Sequence, residues 1–184
     1  PTLTKQGSIS PLKTDYIILK QKTEIERNIS TIIDTITLTK EGKFSKEIKL
    51  EPHLYKLQLD TKKSVLLALN SPQHIIVEIS DFNNKNFKTT ITGSRDSEIL
   101  LAYENFRKKS LDSLVQSVRR QVKAVKNSDE PDQDEIKKLQ QLEIENYAIH
   151  LNELNDFIKH NMSNTLGLYA TSIRWKGVEN FNLY

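Results

Sequence analysis

Residues 91–106 read ITGSRDSEILLAYENF. Through Thr92 the chain continues the alternation of FKTTIT (residues 87–92), the two-residue period of a sheet. From Ser94 on, apolar groups recur at Ile99, Tyr103 and Phe106, which is helical spacing. Gly93 can end a strand in a conformation closed to other residues. Ser94 is a good helix N-cap, and Asp96 and Glu98 follow where the helix dipole favours anions. The switch of period predicts an α+β chain: a β module over residues 1–93 and a helical arm over residues 94–184.

Before the switch the reading is β throughout. Eight short runs rich in β-branched and aromatic residues are candidate strands: LTKQGSI, DYIILKQ, STIIDTITL, KFSKEIKL, LYKLQLD, SVLLALN, HIIVEIS and FKTTIT. In LYKLQLD, Tyr55, Leu57 and Leu59 share one face while Lys56, Gln58 and Asp60 take the other. SVLLALN and HIIVEIS are more continuously apolar and are expected to be central strands. KEGK marks a hairpin with Gly42 at its tip, and turn-prone residues break the other runs at Glu51-Pro52, Asp60–Lys63, Asn70–Pro72 and Asp81–Asn84. Strands at this spacing predict an antiparallel sandwich or open barrel.

After the switch, Ile99, Tyr103, Phe106, Leu111, Leu114, Val115, Val118, Val122 and Val125 form one stripe of a long helix. Its other face carries Lys108, Lys109, Arg119, Arg120 and Lys123. KNSDEPDQDE is a polar connection, with Pro131 expected in the first turn of a second helix. That helix is expected to bury Gln140, Ile144, Tyr147, Leu151, Leu154 and Ile158. Two helices of about 45 Å each should fold back as an antiparallel hairpin with a coiled-coil-like seam. The seam positions Val118, Val122, Leu151 and Leu154 are the candidates for association, either between copies or only between the two helices of one hairpin. A shorter helix, Thr165 to Arg174, should follow, and the tail VENFNLY reads as the start of another helix in a cut chain.

The chemistry is limited. There is no cysteine, which removes thiolate nucleophiles and paired-cysteine redox chemistry from this chain. Residues 1–93 carry 14 basic and 10 acidic groups and the remainder 13 and 14, too even to predict nucleic-acid binding. No run is apolar enough to span a membrane. The opening PTLTKQGS has neither an initiator Met nor a signal peptide, as expected if an export segment was removed or the chain was cut. No glycine-rich phosphate loop occurs, and DEPDQDE lacks the glycine and closing glutamate of a calcium loop. His53 and His74 lie beside turn prolines and read as surface residues. His150 and Glu153, three apart, could ligate a metal only with partners on other helices, and a solvated face is expected for them. RRQVKAVK reads as a solvated basic face. Hence no catalytic, cofactor-binding or metal-ligating residue is assigned.

Three stretches carry a resemblance: the hairpin Glu41-Gly42-Lys43-Phe44, the strand Pro52, Tyr55, Leu57, and the junction Ile91, Gly93, Ser94, Ser97, Leu100. With FIKHNMSNTLGLYA downstream, the chain resembles the N-terminal domain of unknown function that precedes the thioredoxin-like domain in TlpA-like thiol-disulfide oxidoreductases of Bacteroidetes. Met162 departs from that pattern, which often has proline there, and so does the Lys-rich N-terminal region. The resemblance implies an exported, periplasmic protein, often a lipoprotein, whose CxxC domain would follow Tyr184. This chain would then be a non-catalytic module that spaces, dimerises or presents client proteins. Its expected partners are the C-terminal thioredoxin-like domain of the same polypeptide, client proteins or a second copy. Nucleic acid is not among them, and membrane contact would come only through an absent N-terminal anchor. A periplasmic ligand- or peptide-binding module, using a sheet edge or a cleft beneath the helices, is the alternative.

Overall fold

The computed structural model describes residues 2–9, 14–24, 29–69, 73–83 and 87–161. The helix expected at Thr165–Arg174, the tail and the loop at Asn70–Pro72 lie outside them. The described residues divide into two compact units, one running to Leu101 and the other starting at Ala102.

The first unit holds eight strands: β1 (Thr2–Ile9), β2 (Tyr16–Glu24), β3 (Ile29–Thr37), β4 (Lys43–Lys49), β5 (His53–Gln58), β6 (Ser64–Leu69), β7 (His74–Ser80) and β8 (Lys88–Thr92). They form two four-stranded sheets, ordered β4-β1-β7-β8 and β3-β2-β5-β6. Every pairing is antiparallel except β1 with β7, which run parallel. The core lies between the sheets. Ile17, Leu19, Ile36, Tyr55, Leu57, Val65 and Leu67 come from one, and Phe44, Ile75, Val77, Ile79 and Ile91 from the other. In β7 the alternation is plain: Ile75, Val77 and Ile79 are buried while His74, Glu78 and Ser80 are exposed. Each large apolar side chain so buried contributes about 1.5–3 kcal/mol of transfer free energy. Gly42 takes φ 75° at the β3–β4 turn, where its N–H donates to the Thr39 carbonyl. The Tyr55 hydroxyl donates to the Glu51 carbonyl (2.7 Å), tying β5 to the turn before it. Along one side, Lys46 of β4 pairs with Asp34 of β3 (3.1 Å), so the two sheets meet at these edges through side chains and no barrel closes.

β7 is interior, as its composition predicts, but β6 is an edge strand. Its apolar character has another cause. Ala68, fully buried, donates its N–H to Ser97 Oγ (2.9 Å), and its carbonyl accepts from Ser97 Oγ (2.9 Å) and Ser94 Oγ (3.0 Å). The first helical turn covers the β6 edge and satisfies backbone groups that an open edge would leave free. Ser94 also caps that helix, accepting from the Ser97 N–H (3.3 Å). Gly93 has φ 88°, and a Cβ there would lie 1.9 Å from the His74 carbonyl oxygen. The change of period therefore falls at Gly93-Ser94 as read, while the compact units divide seven or eight residues later, inside the helix.

The helices are α1 (Arg95–Ser110), a π-helical turn (Leu111–Gln116), α2 (Ser117–Lys126) and α3 (Gln133–His160). The expected single long helix is thus interrupted by a wider turn, within which the Ser117 N–H donates to the Asp112 carbonyl five residues back. A carbonyl splayed by this turn finds a partner on α3, since Asn146 Nδ2 donates to the Leu114 oxygen (2.9 Å). α3 begins at Gln133, two residues later than a start at Pro131. Asp132 is its N-cap, accepting from the N–H groups of Asp134 (2.9 Å) and Glu135 (3.1 Å), and these bonds hold its carboxyl below the usual range. Pro131 therefore precedes the cap.

Candidate functional site

The hairpin register can be followed from contact to contact. The Phe106 and Phe157 rings stack at 5.2 Å, Ser110 meets His150 and Glu153, Asn146 meets Leu114, and Arg119 meets Glu143 (2.6 Å). Toward the connection, Val118 and Val122 pack with Ile136, Val125 and Leu139. The two helices are antiparallel and every rung uses one face of α3.

That face is the expected one only in part. Leu154 and Ile158 are buried as expected and Tyr147 and Leu151 are half-buried, but Gln140 is exposed and Ile144 is 65% exposed, and Ile136 and His150 are buried instead. The true stripe is rotated by about 60° from the predicted one. The prediction followed apolar residues, and the packing admits polar ones wherever they find partners. Of the four seam candidates, Val118 and Val122 are buried together with Ile136. Leu154 is fully buried and Leu151 half-buried, both flanking His150 and Glu153 nearer the other end of the hairpin. The four therefore lie in two separate stretches of the hairpin.

The expectation of a solvated His150–Glu153 face is overturned. His150 has 0% exposure and Ser110 5%. Ser110 Oγ lies 2.8 Å from His150 Nδ1 and 2.5 Å from Glu153 Oε2. Ser110 has one hydroxyl proton and donates it to Glu153, so toward His150 it accepts from the Nδ1–H. One turn earlier on α1, Arg107 makes a bidentate contact with Glu104 (2.8 and 3.3 Å). Tyr103, fully buried, packs its ring 5.7 Å from that of Phe157. Burial pushes the Tyr103 hydroxyl up to about 12, partly offset by Arg107. Burial likewise pushes His150 below its ordinary value, helped by the Arg107 charge and opposed by Glu153.

Ser110, His150 and Glu153 have the residue types of a nucleophilic triad without its order. In a triad the imidazole stands between hydroxyl and acid and takes the hydroxyl proton. Here the hydroxyl stands between imidazole and acid, sealed from solvent. The arrangement can carry a protonation state across the hairpin; it cannot present a nucleophile to a substrate. Sequence reasoning missed Ser110, Arg107 and Asn146. The available signal was a serine one heptad beyond Tyr103, a polar residue in a seam position of the kind that fixes register.

The other candidates are plainly placed. His53 opens β5, its Nδ1 accepting from the Leu54 N–H (2.8 Å), and His74 opens β7 with its side chain exposed. On the basic stretch, Arg119 and Arg120 are tied to Glu143 and Asp112. Among the described residues, no three histidine or acidic side chains group as a metal site, and no helix is long and apolar enough to cross a membrane.

The three stretches that carried the resemblance are all structural fixtures of the first unit: the Gly42 turn, the Tyr55 strand and the Gly93–Ser94–Ser97 junction. No curated protein matches the chain. Residues 4–100, just over half of the chain and spanning all eight strands to the first turns of α1, match the family described as Domain of unknown function (DUF4369), and the chain belongs to that family.

Proposed function

We propose that this chain is a non-catalytic accessory module of an exported thiol-disulfide oxidoreductase whose redox domain lies in polypeptide beyond this sequence. The observation that carries the reading is the sealing of Ser110 and His150: the one serine–histidine–acid constellation among the described residues is spent on holding two helices together. A chain of 184 residues without a cysteine has no thiol chemistry of its own, so a redox role needs sulfurs supplied from elsewhere. Spacing or presenting a client fits a sandwich that continues directly into a helical arm. The reading is tested on the coding sequence either side of this segment. A lipobox upstream and a WCxxC downstream are expected; a downstream stop codon, or a following domain without paired cysteines, would defeat it.

A second reading, a peptide-binding module, is favoured by one feature. On the edge strand β3 and its neighbour, Tyr16, Ile29, Ile32 and Ile33 are exposed large hydrophobics. An extended peptide could add to that edge as a further strand. The bulge at Ile33 and the Asp34–Lys46 pair confine the free edge to Ile29–Ile33. Light scattering separates the roles. A dimer favours scaffolding, and a monomer whose β3 amides shift on addition of extended peptides favours binding.

A further inference from the structure

The buried polar chain between α1 and α3 goes beyond either reading. Its geometry is directional. His150 gives its Nδ1–H to Ser110 (2.8 Å), and Ser110 gives its only proton to Glu153 (2.5 Å). A proton added to the ring enters at Nε2, which leaves this order in place and puts a charge on a fully buried imidazole. Ser110 is the last residue of α1, and the π turn starts at the next residue. The chain thus grips α3 where the first helix departs from regular geometry and where Asn146 fills a splayed carbonyl.

The surroundings decide what a proton would do. From α1 come Arg107, Glu104 paired to it, and Tyr103, which senses both charges. From α3 come Glu153 and Tyr147, whose ring lies 6.1 Å from that of His150. Asp112 of the π turn is held outside by Arg120 (2.8 Å). A second positive charge beside Arg107 in a sealed interior is opposed by burial and by repulsion, and Glu153 offsets only part of this. Such a charge is relieved by admitting water, which means parting the helices at this rung.

We propose that Ser110, His150 and Glu153 form a proton-operated latch of the helical hairpin, closed while His150 is neutral and loosened at the π turn when it is protonated. The direction follows from linkage. A histidine held below its ordinary value stabilises the folded hairpin fully above about pH 6.5, and that contribution is lost as pH falls through the folded value.

The test is hydrogen exchange by mass spectrometry on the intact chain between pH 7.5 and 5.0, corrected for intrinsic exchange. Protection over residues 110–117 and 146–154 should fall with pH, by no more than about tenfold per unit, the ceiling for one proton. His150→Gln, which keeps a donor toward Ser110 but cannot titrate, should remove the pH dependence. A variant with the parent's pH profile would overturn the latch. Should His150→Gln fail to fold, NMR titration of the parent imidazole decides. A midpoint below about 6.5, in step with the loss of protection, supports the latch, and a midpoint at or above it refutes it.

Discussion

A side chain at position 93 would have nowhere to go. Gly93 sits at φ 88°, and the first carbon added to it would stand 1.9 Å from a backbone oxygen of β7, a neighbour no rotamer change can move. Gly93→Ala should therefore cost at least about 2 kcal/mol, read as a lowered urea midpoint; an unchanged midpoint would show that the junction relaxes freely. Ser97→Ala tests the neighbouring function. It orphans the buried Ala68 N–H, for an expected loss of about 1–3 kcal/mol, where an edge strand open to water would lose almost nothing. The junction was legible in the sequence because glycine at a strand end and serine before a helix have purely local reasons. His150 was not legible. Its burial depends on Ser110, 40 residues away, and no local pattern announces a hydroxyl and a carboxylate waiting across a hairpin.

At the scale of elements, strand existence came through well because a half-buried strand writes its inside and outside in alternate letters, as β7 does. The position of a strand within its sheet did not. β6 reads as a central strand because both of its faces are apolar, yet it lies at an edge covered by a helix. The face of α3 was read correctly at Leu154 and Ile158 and misread at Gln140 and Ile144, for a related reason. A two-helix hairpin buries only one stripe per helix, and in α3 that stripe includes His150 and half-buried Glu143, Asn146 and Glu153, while apolar Leu142, Ile144 and Ile149 remain outside. Composition would rank Ile144 as core and packing ranks Ile136. Ile136→Ala should lower stability by about 2–4 kcal/mol, and Ile144→Ala should stay within about 0.5 kcal/mol of the parent. Thermal unfolding of the two variants checks the order, and equal losses would mean that the hairpin register given by the Arg119–Glu143 and Asn146–Leu114 contacts is wrong.

For the molecule as a whole, the consequence lies in where each core ends. The sandwich core runs from Ile17 to Ile91 with Leu101 packed against it. The cluster at the connection end of the hairpin is made of Val118, Val122 and Ile136 with Val125 and Leu139, all beyond Ala102. Two cores that share no residue can fail separately, even though α1 runs through both units. Val122→Glu puts a carboxylate into the apolar cluster of Val118 and Ile136, so the ends of α2 and α3 should part or take in water. Hydrogen exchange should then quicken by tenfold or more over α2 and the first half of α3, as expected for a loss above about 1.4 kcal/mol. The interior strands β5 and β7 should keep the parent's slow exchange, because every apolar contact that buries Leu57, Ile75 and Val77 is left in place. Acceleration of β5 and β7 to the same degree as α3 would mean that the chain unfolds as one cooperative body, with the helical arm no more separable from the sandwich than any of its strands.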